Sequence, residues 1–294
     1  MQLQPLAGKI DPGYQQMTAM LPTPVLAVIA LFCMGIPAVF AAPPSCFPPV
    51  EIGRAKIVRV EHDGVLVLDD GRAARLEGLI LPAGASDHAP DFYADQAIDR
   101  LGELATGHRL ILAAESPKED RYGRLRAQAF LNGDSGGRWL QRVLLEEGLA
   151  RVSVAPDRNE CAGELFAAER RARSARTGIW SDEAYHVRGP TGLINAIGTF
   201  QIVEGTIEDV TGASGHVFLE FGHDRRKDFA VVISGDDLKN FRAIGVEPFS
   251  YKGQAVRVRG WIDRMRRPEM EIATPANIEV METPELRGSI ATQR

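Results

Sequence analysis

Two short segments carry the side chains of this sequence that are best suited to chemistry. The first holds Arg75, within a predicted strand, and the second reads Asp120-Arg-Tyr-Gly-Arg124. A guanidinium group pairs with planar oxyanions in a bidentate manner, so these arginines suit a phosphate or another anion. Two interpretations of the second segment stand: Asp120 and Arg124 pair across a turn centred on Gly123, or Arg124 is aimed at an anion.

Hydrolysis would need more than these cations, because a water molecule must be activated by a carboxylate base. Glu77 follows Arg75 by two residues and therefore lies on the same face of the strand. We expect Glu77 to pair with an arginine and neutralise it. His62 has no second ligand at a matching spacing, so it predicts no metal site.

The elements that must position these residues follow the order three strands, helix, two strands. Asp69-Asp70-Gly71 joins two of the strands and is a strong hairpin signal, because both central residues can take positive φ. The predicted strands are 55–60, 64–68, 72–80, 109–113 and 126–131, and the predicted helices are 91–106, 139–147 and 160–177. This order is compatible with a five-stranded OB-type barrel in a protein that is mainly β with α.

Five motifs occur in order along this region. They are Val67-Leu-Asp-Asp-Gly-Arg, Arg75-Leu76, Asp120-Arg-Tyr-Gly-Arg124, Glu147-Gly-Leu-Ala-Arg-Val152 and Ala175-Arg-Thr-Gly-Ile-Trp180. Together they resemble the staphylococcal-nuclease (thermonuclease) family. The resemblance implies an OB barrel with C-terminal helices that hydrolyses DNA and RNA phosphodiesters with bound calcium.

The resemblance also matches positions of this sequence to the family's cations and aromatic contacts. Arg75 and Arg124 match the two catalytic arginines, and Asp120 and Tyr122 match the family pattern between them. We expect Arg121 and Tyr122 to contact a bound ligand, and Asp120 to be structural.

The family's carboxylates are absent from the matched positions. Its two calcium-ligating aspartates fall on Gly64 and Ile80, and its glutamate base falls on Ala83. Asp63 could replace the first ligand from one position away, but a one-residue shift in a strand reverses the face unless a turn reorients the side chain. We therefore expect no cofactor, and calcium only if the protein is an active nuclease.

The second half of the chain repeats the order of strands and helix. The predicted strands are 200–210, 217–221, 229–233, 254–262 and 270–273 leading to 278–280, with a helix at 236–244. The segments Phe221-Gly-His-Asp-Arg-Arg-Lys-Asp-Phe229 and Arg257-Val-Arg-Gly-Trp261 resemble the OB-type domain that follows the nuclease domain in some bacterial thermonuclease-family proteins. We expect a second OB-like barrel.

The second barrel has two interpretations. OB faces bind single-stranded nucleic acid through aromatic and cationic side chains, and Phe221, Arg225 and Trp261 are the candidates. Alternatively, the aromatic residues fill the barrel, and Arg257 and Arg259 lie on the solvated face of their strand. Nearby aspartates dilute the positive field, which favours the second interpretation.

The N-terminus predicts export. Residues 22–41 are apolar and uncharged and end in small residues, so we expect a signal peptide over 1–41, with Met1 or Met17 as the start. An uncleaved inner-membrane anchor is the alternative, because the run is near the length of a membrane span. Cleavage would leave Cys46 and Cys161, which are either a disulfide of an oxidising compartment or two unrelated thiols.

The domain organisation follows from these segments. We predict a linker at 42–49, the nuclease-like domain at 50–184, a linker at 185–197, the second domain at 198–284 and a tail at 285–294.

Three functions are compatible with the sequence. The first is a periplasmic or secreted, catalytically inactive protein that binds nucleic acid or another anion, or acts as an envelope scaffold. The second is an active calcium-dependent nuclease with a rearranged site, and the third is a module that binds a protein or glycan. Single-stranded nucleic acid, a nucleotide or an envelope protein are the expected partners. The formal net charge of -5 argues mildly against tight nucleic-acid binding, which is mainly electrostatic.

Overall fold

A computed structural model describes residues 46, 50–131, 138–159, 161–264 and 267–281 of the chain. Ala42–Arg294 form one compact unit. The predicted signal peptide and the C-terminal tail lie outside the described residues, as does most of the first predicted linker. Within the described part of the chain, no helix is long and apolar enough to cross a membrane.

The first half of this unit contains a closed five-stranded barrel. Its strands are β1 (Glu51–Val60), β2 (Leu66–Leu68), β3 (Ala73–Leu76), β5 (Arg109–Ala113) and β6 (Leu125–Leu131), hydrogen-bonded in the order β1-β2-β3-β6-β5. Alternating apolar residues such as Ala55 and Ile57 point into its core. The α1 helix (Phe92–Ala105) buries Ala97, Leu101 and Leu104. The predicted α+β class with an OB-type barrel is confirmed.

The third predicted strand is interrupted, which the sequence pattern did not indicate. Gly78 has φ +86°, a backbone conformation that favours glycine, and the chain turns there out of the barrel. The next strand, β4 (Leu79–Ile80), instead pairs with β7 (Arg151–Val152), with Ile80 opposite Arg151. Ile80 therefore belongs to a different sheet from Arg75.

Two helices pack behind the barrel, α2 (Leu140–Glu146) and α3 (Ala162–Ala175). The chain after α2 crosses the chain after α3 at Gly148 and Gly178, where Ile179 N donates to Gly148 O at 2.9 Å. A Cβ at Gly148 would lie 2.1 Å from Thr177 O, so the crossing requires glycine. A disulfide between Cys46 and Cys161 joins the start of the unit to the first residue before α3.

The described residues of the second half form eight strands and the short helix α4 (Leu238–Ala243). The strands are β8 (Phe200–Thr206), β9 (Asp209–Ala213), β10 (His216–Glu220), β11 (Ala230–Ile233), β12 (Ala255–Trp261), β13 (Asp263–Arg264), β14 (Pro268–Glu271) and β15 (Ile278–Val280). They form a five-stranded sheet, β13-β14-β11-β10-β9, and a three-stranded sheet, β15-β12-β8, around one core. The predicted OB-like character is confirmed in part, because the hydrogen-bonded ladder is divided between two sheets.

The predicted linker 185–197 is ordered by contacts with the second half. It includes a 3₁₀ turn at Leu193–Ala196, and the backbone of Arg188 bonds to Ile202 and Glu204 on β8. The domain boundaries stay a prediction.

Buried ion pairs join the two halves. Arg259 on β12 donates to Glu169 on α3 at 2.8 Å, and Arg259 is only 1% exposed. The prediction that Arg257 and Arg259 lie on a solvated face is therefore wrong for Arg259, because α3 covers that face of β12. The Arg257 side chain is also largely covered and pairs with Glu204. Strand alternation correctly placed both arginines opposite the barrel core, but it does not show what packs on the outer face.

Candidate anion-binding site

The outer faces of β3 and β6 position the arginines. These strands are parallel neighbours, with Ala74 opposite Leu125 and Arg75 opposite Arg126. Ala74 and Leu125 are buried, so Arg75 points outward. Arg75 is exposed and makes no side-chain hydrogen bond or ion pair with any residue that the structure describes. Its guanidinium group is available to a ligand.

The turn before β6 is organised by Asp120. Its carboxylate accepts hydrogen bonds from Tyr122 N at 2.9 Å, Arg124 N at 3.0 Å and Arg124 Nε at 2.8 Å. Partial burial by itself would raise the pKa of Asp120, but the hydrogen bonds from Arg124 and Tyr122 lower that pKa below its ordinary value. The Asp120–Arg124 pair across Gly123 is thus present. It occupies Nε of Arg124 and orients the guanidinium group.

An exposed aromatic ring lies between two cations on the same turn. Tyr122 is 65% exposed, and the guanidinium carbons of Arg121 and Arg124 lie 4.8 and 5.0 Å from its ring centroid. These are cation–π distances. The turn therefore presents an aromatic face and positive charge together, the combination that a nucleotide requires.

Asp63 lies closer to this site than the sequence indicated. It is in the turn between β1 and β2, where Gly64 has φ +79°. Asp63 Oδ1 accepts from Val65 N, and Oδ2 lies 3.8 Å from Arg124 Nη1. The predicted orientation of Asp63 depended on whether a turn is present, and Asp63 does lie in a turn rather than in a strand.

The residues present do not fit a calcium ion. Calcium takes six to eight oxygen ligands, mainly from carboxylates and carbonyls, whereas Gly64, Ile80 and Ala83 carry no side-chain oxygen. Asp63 and Asp120 are within ion-pair distance of Arg124. No group of three or more His, Cys, Asp or Glu residues within the described ranges is arranged to hold a metal.

The loop after β4 contains a buried carboxylate, that of Asp87. Ala83 N donates to Asp87 Oδ2 at 2.8 Å, and the same oxygen accepts from Arg151 Nη2 at 2.7 Å. Asp87 is only 2% exposed. This carboxylate serves the packing of the loop and is not accessible to a water molecule at Arg75.

Glu77 pairs with an arginine, as expected, but its partner is Arg126. Arg126 Nε donates to Glu77 at 2.8 Å, and Arg126 Nη1 donates to Asp157 at 2.7 Å. Sequence reasoning overlooked Arg126, although it follows Arg124 by two residues and so shares its face. This pairing leaves Arg75 without a carboxylate partner among the described residues.

The three residues of the second half that were predicted to bind a ligand, Phe221, Arg225 and Trp261, each have a different neighbour. Phe221 is buried and packs on Phe229, with ring centroids 5.1 Å apart. Arg225 donates to Asp209 at 2.7 Å, and Trp261 is half-exposed against Phe200. Among the described residues, no hydrogen bond, ion pair or ring contact joins Phe221, Arg225 and Trp261 to one another.

The closed barrel, its helices and the two outward arginines define a nuclease-like domain. Residues 75–182 match the family model described as staphylococcal nuclease homologue. The chain therefore carries a staphylococcal-nuclease-like domain, as its motifs predicted.

Three curated relatives are similar to this region. The SPbeta prophage-derived endonuclease YokF of Bacillus subtilis (strain 168) is 35% identical over 95 residues, which are 32% of this chain and 31% of the relative. Endonuclease YncB of the same strain is 35% identical over 95 residues, 32% of this chain and 43% of the relative. The thermonuclease of Staphylococcus hyicus is 27% identical over 131 residues, 43% of this chain and 75% of the relative. The chain thus spans less than half the length of the two Bacillus relatives.

Proposed function

We propose that this is an exported nuclease-like protein that binds nucleic acid or a related anion through Arg75, Arg124 and Tyr122 and does not cleave it. One observation carries the proposal. The outward arginines are present, while the three positions matched to the metal ligands and the base are Gly64, Ile80 and Ala83.

In the proposed site, Arg75, Arg124 and Tyr122 each make a different contribution to binding. Arg75 is free to pair with a phosphate group. Asp120 holds Nε of Arg124, which leaves the terminal nitrogens of that partly exposed guanidinium group for an anion, with Nη1 3.8 Å from Asp63. The exposed ring of Tyr122 offers a surface on which a base can stack.

The same geometry argues against hydrolysis. A general base must reach a water molecule next to the phosphorus atom. Position 83 is an alanine, and the nearby Asp87 is buried against Arg151. Without a base, the arginines can stabilise charge but cannot generate a nucleophile.

Export is supported by the chain on both sides of the predicted cleavage site. The apolar residues 22–41 end in Val39-Phe40-Ala41. The bond between Cys46 and Cys161 is of the kind that forms in oxidising compartments. These two features support the proposed envelope location, in the periplasm or outside the cell.

A second candidate function is an active metal-dependent nuclease. The position of Asp63, 3.8 Å from Arg124, favours it, because this carboxylate could move toward a cation bound near the arginines. Three of the curated relatives carry the names endonuclease or thermonuclease.

The deciding experiment measures binding and cleavage on one substrate. The mature protein from Ala42 is mixed with a short single-stranded DNA labelled with a fluorophore and a quencher, with calcium or with a chelator. Anisotropy of a second, singly labelled strand reports binding. The test variant is Arg75→Ala with Arg124→Ala. The matched control is Arg54→Ala with Arg59→Ala, which removes two exposed charges from β1.

We expect binding that the test variant loses and the control retains, without cleavage in either buffer. Calcium-dependent cleavage that Asp63→Asn abolishes would establish the second candidate instead. Equal binding by the test variant and the control would overturn the proposed site.

A further inference from the structure

A separate cavity of about 710 Å³ lies in the second half of the molecule. It is bounded by the segment 190–194, the loop 221–229 between β10 and β11, and Arg267 with Pro268. None of the lining residues belongs to the first barrel. The volume is within the range of about 300–1,000 Å³ that is usual for small-molecule sites.

One wall of the cavity is uncharged. It contains Pro190, Leu193 and Ile194, and Phe221 and Phe229 also line the cavity. Ile194 is 46% exposed, although it is a large apolar residue. This wall suits the apolar or ring-shaped part of a ligand.

The charged loop 221–229 also lines the cavity, and two of its carboxylates accept hydrogen bonds from backbone amides of the loop. Asp228 Oδ2 accepts from Asp224 N at 2.9 Å, and Asp224 Oδ1 accepts from Arg226 N at 3.0 Å. These bonds fix the shape of the loop. A Cβ at Gly222 would lie 2.2 Å from Asp228 Oδ2, so the loop folds tightly at its first turn.

The cationic side chains of this loop differ in whether they have a partner. The side chains of Arg226 and His223 have no hydrogen bond or ion pair with any described residue. Lys227 is highly exposed and lies 3.8 Å from Asp224. Arg225 is different, because its guanidinium group turns away to Asp209.

The positive charge of Arg267, which also lines the cavity, is neutralised by carboxylates. Arg267 is only 5% exposed and donates to Glu220 at 2.7 Å and to Glu269 at 3.2 Å. Arg226 is therefore the lining arginine without an ion-pair partner among the described residues, and Lys227 adds an exposed amino group whose contact with Asp224 is long, at 3.8 Å.

We propose that this cavity binds a small organic anion of about nucleotide size, with a ring or hydrocarbon body and one phosphate or carboxylate group. The body contacts Ile194, Pro190 and the edge of Phe221, and the anionic group contacts Arg226 and Lys227. A long polyanion is disfavoured, because Asp224 and Asp228 lie in the same loop and would repel its further phosphates. A single terminal anion meets the two cations without that repulsion.

Titration calorimetry on the mature protein tests the proposal with four probes. Two complete probes carry both a ring and an anionic group, and two partial probes carry only one of them. Thymidine 5′-monophosphate and 1-naphthoate each combine a ring with an anion, one as phosphate and one as carboxylate. Thymidine and inorganic phosphate each supply half of that chemistry. We expect at least one complete probe to bind about tenfold or more tightly than both halves, since ring contact and ion pairing act together. Comparing the two complete probes tells phosphate from carboxylate.

Four variants locate the site. Arg226→Ala with Lys227→Ala should weaken the bound probe by about tenfold or more, because charge-assisted bonds are lost. Ile194→Asp should weaken it similarly by placing a negative charge on the apolar wall. Arg225→Ala, in the same loop but directed to Asp209, is the matched control and should change binding by no more than about twofold. Arg75→Ala with Arg124→Ala should leave this binding unchanged.

Circular dichroism and thermal unfolding confirm that each variant is folded. Failure of both complete probes to bind would overturn the proposal. So would binding that survives Arg226→Ala with Lys227→Ala when Arg75→Ala and Arg124→Ala are also present, since that background removes the proposed anion site of the first barrel. Binding that disappears only in the Arg75 and Arg124 variant would place the probe at the first site and likewise refute the cavity. None of these results would overturn the proposed function of the first barrel, and binding lost only in the Arg75 and Arg124 variant would support it.

Discussion

Arg151 and Asp87 form an ion pair of 2.7 Å in the interior, although 64 residues separate them in the sequence. The same guanidinium group donates to Phe200 O at 2.7 Å, at the first residue of the second half's β8. Its carbon lies 4.9 Å from the ring centroid of Tyr185 and 5.2 Å from that of Phe200. Asp87 also accepts from Ala83 N. One buried pair therefore holds both the loop that contains Ala83 and the second half of the molecule.

Arg151→Met should strongly destabilise the protein. It leaves the buried Asp87 carboxylate without its cation, which costs about 3–5 kcal/mol when one partner of a buried pair is removed. Urea unfolding measures the loss. Arg142→Met, which breaks a surface pair with Glu146, is the control and should cost less than about 1 kcal/mol.

The double variant Arg151→Met with Asp87→Asn should recover part of that stability, because no uncompensated charge stays buried. A double variant as unstable as the sum of both single variants would show that the ion pair is not the reason for the loss.

The disulfide should contribute to stability by restricting the unfolded chain. Cys46 and Cys161 are 115 residues apart, and the chain-entropy model gives about 4–5 kcal/mol for a loop of that length. Denaturant unfolding of the oxidised and the reduced protein measures this difference. Cys46→Ser with Cys161→Ser should match the reduced protein and should not respond to reductant. Equal stability of the oxidised and reduced forms would contradict the prediction.

The turn at Asp120 should make stability depend on pH. Folding lowers the pKa of Asp120, so its contribution is fully present above the unfolded value and is lost as the pH falls through the folded value. The unfolded value for aspartate is about 3.9. The stability difference between the natural protein and Asp120→Asn should therefore be constant near neutral pH and shrink below about pH 4. Unfolding curves at several pH values test this, and a difference that grows on acidification would have the wrong sign.

Gly148 should be far less tolerant of substitution than Gly71. Both have positive φ, +66° and +87°, so alanine brings similar backbone strain at each. A Cβ at Gly148 would meet the backbone oxygen of Thr177 at 2.1 Å, whereas nothing lies within 4 Å at Gly71. We expect Gly148→Ala to cost at least about 2 kcal/mol more than Gly71→Ala. Thermal and urea unfolding of the two variants provide the comparison, and equal costs would mean that the crossing relaxes.

Sequence reasoning identified the elements that depend on local pattern. The β5 strand was predicted at 109–113 and is found there, and α1 was predicted to within one residue at each end. Their apolar residues recur with the period of the element, and glycine or a change of pattern ends each one.

The errors arise where distant segments decide the outcome. The turn at Gly78 directs β4 out of the barrel, where it pairs with β7. A single glycine within a predicted strand does not indicate which other strand the chain will pair with. Arg259 was expected in solvent because its strand alternates, but a helix from the other half covers it. Asp63 was expected to replace the first metal ligand only if a turn reoriented it, and a turn does place it 3.8 Å from Arg124. At the candidate site, the motifs identified Arg75 and Arg124. The ion pair between Arg126 and Glu77 became apparent only in the structure.

The contact between Arg259 and Glu169 limits how the molecule can be divided. Glu169 is fully buried, accepts from Val152 N at 2.7 Å and receives its closest cation from β12. A fragment ending before residue 198 would keep the carboxylate and lose that cation, with only Arg173 left nearby at 3.7 Å. Excising the nuclease-like part should therefore yield an insoluble or loosely packed product. Heating the intact chain should give one calorimetric transition in which both barrels melt together.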